Sequence, residues 1–228
     1  MEIANKFNLN YIELIDFLKE YNGYIVGSNC LSHYNNNNNV NNENNDNDVI
    51  GSNTLDIIIP KYYKHNDNLD HLENYMNSKR IEDKIIDFFE RSSYKLTEQK
   101  LNTADYHFGM EYYVHLPIRN AFCIFDFKNV SNPALKVQLI VVYNDNYFEY
   151  AKNNYDLSIY FCWFNPYTEK FECKYEDLLL DKEFTYIKEF ETCCEKNNIC
   201  GVEYCENYKL NERIEKYKKM GYIYYANN

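Results

Sequence analysis

The segment SNTLDIIIP, residues 52–60, constrains the fold more than any other stretch. Leu55, Ile57, Ile58 and Ile59 have the β-branched, apolar character of a strand covered on both faces. An ionised carboxylate inside such a strand, Asp56, is costly unless something pairs with it. Two arrangements satisfy that condition. Asp56 sits at the strand end in water, or it faces a pocket that takes a cation.

A chain of 228 residues is long enough to bury the core that such a strand needs, as one domain or two small lobes. Hydrophobic residues make up 45% and aromatics 18%, which excludes a wholly disordered chain. The net charge of −11 argues against a non-specific nucleic-acid binder, whose footprint needs a basic face. The opening MEIANKFNLN is polar and no apolar run approaches membrane-spanning length, so an intracellular protein with no membrane partner is expected. Eight cysteines in that setting read as reduced thiols.

Helical spacing of apolar residues predicts helices over 8–21, 69–90, 147–152 and 211–220, the last stopped by Gly221. Strands are expected at 24–26, 54–59, 111–116, 121–127, 136–143 and 155–163. Intermixed helices and strands give an α/β (α+β) class with a mixed sheet. Residues 1–165 are the expected core, and 166–228 a smaller, mostly helical C-terminal portion. The tract NNNNNVNNENNDNDV (35–49) buries no apolar surface and reads as a disordered surface insertion.

Three pieces bear on Asp56. In YIVGSNCLSHY (24–34) a strand meets Gly27-Ser28 and then a short helical run. Such a turn presents backbone N–H groups and a hydroxyl, which suit phosphate oxygens. The Asp56 strand is the second piece. In the third, YDLSI (155–159), Asp156 again interrupts an apolar strand pattern.

In this order the pieces resemble the nucleotidyltransferase fold typified by DNA polymerase beta and poly(A) polymerase. A closer likeness is to nucleotidyltransferase-like proteins encoded by large DNA viruses. It is carried by IVGSNCLS (25–32), NTLDIIIP (53–60), VQLIVV (137–142), YDLSIYFCWF (155–164) and RIEKYKKMG (213–221). The stretch between Ser28 and Thr54 is longer than the family's spacer, and removing the Asn tract restores the family's length. The resemblance implies a nucleoside triphosphate substrate with Mg²⁺ or Mn²⁺. Gly27 and Ser28 would hold phosphates, while Asp56 and Asp156 would be the catalytic, metal-binding acids. A nucleotidyl group would pass to a hydroxyl on an RNA, a protein or a small molecule, in the cytoplasm of an infected host cell. One paired carboxylate of the family motif is missing: Thr54 stands in its place, or Ile58 does, depending on the alignment. That departure also fits a degenerate member of the fold acting as a nucleotide sensor or protein-interaction module. An interaction protein without a nucleotide site is the third expectation.

The remaining candidates carry bland readings. The cluster TCCEKNNICGVEYC (192–205) lacks the paired Cys-x-x-Cys knuckles of a zinc site. Cys30, Cys123, Cys162 and Cys173 read as core residues. His107 and His115 stand in no ligand or triad spacing. Arg213, Lys216, Lys218 and Lys219 read as a solvated helix face.

Overall fold

The computed structural model describes residues 2–37, 52–60, 71–101, 121–155, 157–187 and 210–226. The first four helices are α1 (Glu2–Lys6), α2 (Tyr11–Glu20), α3 (Ser28–Asn37) and α4 (His71–Arg91), with one strand before α3 and another before α4. Asn10 caps α2, its side-chain oxygen accepting from the N–H groups of Ile12 and Glu13. α3 runs through Asn37, so the first residues of the Asn tract are helical; residues 38–49 lie outside the described residues.

Seven strands form one sheet: β1 (Tyr24–Val26), β2 (Thr54–Pro60), β3 (Tyr94–Leu101), β4 (Ala121–Asn129), β5 (Lys136–Val142), β6 (Cys162–Asn165) and β7 (Lys170–Cys173). Their spatial order is β3-β4-β5-β2-β1-β6-β7. β2 and β5 run parallel, in register from Thr54–Lys136 to Pro60–Val142, and the other neighbours are antiparallel. The apolar β2 therefore lies inside the sheet, as its composition requires. On one face Leu55, Ile57 and Ile59 join Val137, Leu139, Phe125 and Phe127 under α1 to α4. On the other face Val26, Ile58, Ile124 and Ile140 pack against Tyr147, Tyr150 and Ala151 of α5 (Tyr147–Asn154).

The expected strand over 155–163 is corrected. Leu157 makes an isolated bridge to Tyr186, Ser158–Tyr160 form a 3-10 turn, and the strand begins only at Cys162. Ser158 in this turn is fully buried, and its Oγ accepts the Thr185 N–H at 3.0 Å. Asp156 and the expected strand at 111–116 lie outside the described residues.

The expected boundary at 165 falls in the β6–β7 hairpin, so residues 170–173 belong to the main sheet. Beyond them come α6 (Glu176–Leu180), β8 (Glu183–Thr185), α7 (Leu210–Lys219) and β9 (Ile223–Tyr225). β8 and β9 pair in parallel as a second, small sheet. α7 stops at Gly221, whose φ of 86° supplies the left-handed C-terminal turn. Among the described residues no helix is long and apolar enough to cross a membrane.

The N-terminal helices are tied to the sheet through Tyr94. Its buried hydroxyl donates to the Phe7 carbonyl at 2.7 Å. Tyr94→Phe removes that bond inside the core and is expected to cost about 1–2 kcal/mol. Urea unfolding should show a lower midpoint with an unchanged slope.

Candidate functional site

Directly paired residues of a sheet point to the same side. The register therefore sets Val26, Asp56, Gln138, Asp126 and Glu98 in one row across five strands. α5 covers the apolar end of this face at Ile58, Ile140 and Val142. Toward the other end the face is polar: Thr54, Asp56, Gln138 and Asp126 are half-buried, and Lys128 and Lys136 are exposed.

The β1–α3 turn meets this polar patch. β1 ends at Val26, the partner of Asp56, and Gly27 turns with φ of 81° into α3. The Gly27 carbonyl accepts from the N–H groups of Cys30 and Leu31 at 3.1 and 3.3 Å and so closes the first turn. The Ser28 and Asn29 N–H groups lead the helix, where an anion is favoured. A Cβ on Gly27 would lie 2.5 Å from Asp56 Oδ2, so the turn sits directly against the carboxylate. The structure thus brings together Gly27, Ser28 and Asp56, with Thr54 two residues earlier on the same face as Asp56.

Four participants escaped the sequence reading. Asn29 is buried; its Nδ2 donates to the Thr54 carbonyl at 2.6 Å and its Oδ1 accepts from Lys6 Nζ at 3.0 Å. Lys6 also donates to the Ser52 carbonyl at 3.2 Å, so both residues clamp α3 to the start of β2. Asp126 and Gln138 complete the polar row. Asp126 interrupts the apolar run of β4 as Asp56 interrupts β2, which is the signal that could have found it.

The two aspartates differ in their partners. Asp126 accepts from Gln138 Nε2 at 2.8 Å and pairs with Lys100 Nζ at 3.1 Å. Asp56 has no hydrogen bond or ion pair among the described residues. Burial pushes its pKa from 3.8 up to about 7; Lys216 of α7 counteracts that rise and Asp126 adds to it. The basic helix is therefore not wholly a solvated face. Arg213 is half-buried over the Tyr160 ring at 5.9 Å, and Lys216 acts on Asp56 through space.

No three His, Cys, Asp or Glu residues gather as a metal-binding group among the described residues. Mg²⁺ commonly keeps several waters and takes one or two carboxylates together with substrate phosphates. The Asp56 carboxylate, without a partner among the described residues and beside a helix N-terminus, fits that minimal requirement. His107, His115 and the 192–205 cysteines lie outside the described residues. No protein-family model, curated protein or solved structure matches this chain.

The native state holds the Asp56 proton up to about pH 7, whereas the unfolded chain releases it near 3.8. Between those values the native state binds more protons, so this group's contribution to stability falls as pH rises. Above about pH 7 the full cost of the buried anion is present. Asp56→Asn is expected to be more stable than wild type by on the order of 2 kcal/mol at pH 8 and to show no such gain at pH 4, by urea unfolding at both. Gly27→Ala is expected to lose roughly 1–3 kcal/mol, because the new methyl strains the backbone and strikes the carboxylate. Combining it with Asp56→Ala should recover part of that loss.

Proposed function

We propose that the polar half of the sheet face binds the phosphates of a nucleoside triphosphate and transfers its nucleotidyl group to a hydroxyl acceptor. The observation that carries this reading is the contact between the Gly27 turn and the Asp56 carboxylate, which has no hydrogen bond or ion pair among the described residues. The Ser28 and Asn29 N–H groups at the start of α3 would receive phosphate oxygens. Lys216, close enough to Asp56 to act on its charge, would offset the charge of the triphosphate. Asp56 would hold the divalent cation, Mg²⁺ or Mn²⁺, with Asp156 and Thr54 as further candidate ligands. When bound, that ion supplies charge neutralisation at the phosphates. The acceptor hydroxyl attacks the α-phosphorus as the bond to the β-phosphate oxygen breaks, and pyrophosphate leaves. The family resemblance supports this chemistry, and the viral, host-cytoplasmic setting rests on the same resemblance.

A second reading, nucleotide binding without transfer, is favoured by one observation. Between Asp56 and Asp126 stands the amide of Gln138, and Asp126 is already engaged by Lys100. Calorimetric titration with each nucleoside triphosphate, with and without Mg²⁺ or Mn²⁺, tests both readings when paired with an assay of pyrophosphate release. Binding that needs the metal and weakens about tenfold or more in Asp56→Asn is expected, a loss of about 1.4 kcal/mol. Pyrophosphate release with an added hydroxyl acceptor supports transfer; binding without release supports the sensor. Absence of binding under every condition overturns both.

A further inference from the structure

Cys162 and Cys173 stand directly opposite each other in the β6–β7 pair. The next position outward, Phe161 opposite Lys174, is joined by the Lys174 N–H donating to the Phe161 carbonyl at 3.0 Å. Hydrogen-bonded and non-hydrogen-bonded positions alternate along an antiparallel pair, so Cys162–Cys173 occupies a non-hydrogen-bonded one. There the Cα atoms lie about 4.5 Å apart and the side chains are closest. That separation falls within the range a disulfide spans. The two thiols are near enough for each to perturb the other's ionisation.

The two sulfurs are unequal. Cys162 is buried and Cys173 half-buried. Their mutual interaction lowers the Cys173 pKa and raises that of Cys162, with burial raising Cys162 further. Cys173 is thus the accessible, more nucleophilic sulfur, and Cys162 is the thiol waiting behind it. Cys30, the nearest rival, is buried in α3 with its Sγ donating to the Ile25 carbonyl at 3.1 Å. Its own pKa is pushed up by burial.

We infer that Cys162 and Cys173 form an oxidisable dithiol that a hydroperoxide closes to a cross-strand disulfide. The Cys173 thiolate attacks the peroxide, the O–O bond breaks, and Cys173 becomes a sulfenic acid as the peroxide's other oxygen leaves as water or alcohol. The Cys162 sulfur then displaces the sulfenic oxygen, which departs as water with the Cys162 proton. Two thiols are oxidised by two electrons, and one peroxide is reduced. The linked hairpin lies under α3, where His33 stacks on Phe171 with ring centroids 5.2 Å apart and Tyr34 donates to Glu176. Cys162 also adjoins Trp163, the partner of Val26 just before Gly27. The disulfide would therefore stiffen the support of the turn that carries Ser28. This inference stands apart from the nucleotide reading.

The test treats the reduced, native full-length chain with hydrogen peroxide, alkylates it, cleaves after Lys170 and maps it by mass spectrometry. The expected product is a cross-linked pair of peptides carrying Cys162 and Cys173, short of two hydrogens and reversed by dithiothreitol. In Cys162→Ser, dimedone should instead trap a sulfenic acid at Cys173; in Cys173→Ser, Cys162 should stay unmodified. Wild-type mapping alone decides the matter if a variant fails to fold. The inference is overturned if both thiols remain free while other cysteines react, if Cys173 proceeds to the sulfinic acid, or if either sulfur links elsewhere.

Discussion

Gly27 lacks the Cβ that would collide with the Asp56 carboxylate, and the meeting of the β1–α3 turn with β2 depends on that absence. Its left-handed backbone lets the chain leave β1 and enter α3 in one residue. Asn29 and Lys6 then fasten the first turn of α3 to the backbone of Ser52 and Thr54. A helix N-terminus and a carboxylate are thereby held side by side, the first with N–H groups that no preceding helical carbonyl can take and the second without a hydrogen bond or ion pair among the described residues. That shared deficit, positive on one side and acidic on the other, makes the place suited to a phosphate carrying a metal ion.

The sheet supplies the other half of the arrangement. α5 covers the apolar end of the Asp56 face, while Thr54, Asp56, Gln138 and Asp126 lie half-buried at the other end, so one strand serves both the core and the candidate site. Asp126 shows what a satisfied acid looks like in the same row, with Gln138 and Lys100 donating to it. Asp56 has no such donors among the described residues, and burial raises its proton affinity. The difference between two aspartates on neighbouring antiparallel and parallel pairs distinguishes a structural acid from a candidate functional one.

Much of this was legible in the residues themselves. The apolar runs of β2, β4 and β5 and the helical spacing of α2, α4, α5 and α7 identify those elements because burial follows backbone period. The polar β3, YKLTEQKL, was missed, since an edge strand has one neighbour and no need of a continuous apolar pattern. The alternating apolar residues of 155–163 fit a strand, but a 3-10 turn at Ser158–Tyr160 delays the strand to Cys162, and the bond from the Thr185 N–H to Ser158 Oγ is a long-range contact that no local pattern reveals. Gly27, Ser28 and Asp56 were legible as a set. Asp126, Gln138, Asn29 and Lys6 were not, because strand register and long-range side-chain bonds decide their place.

The account rests on Asp56 being a desolvated acid with no hydrogen bond or ion pair among the described residues, and its titration tests that most directly. The side-chain carboxyl ¹³C resonance of Asp56 should be followed against pH in the native protein, assigned by comparison with Asp56→Asn. The account predicts a midpoint at about 7, far above the ordinary 3.8, falling on addition of Mg²⁺ with a nucleoside triphosphate. A midpoint near 3.8, unmoved by metal and nucleotide, would contradict it.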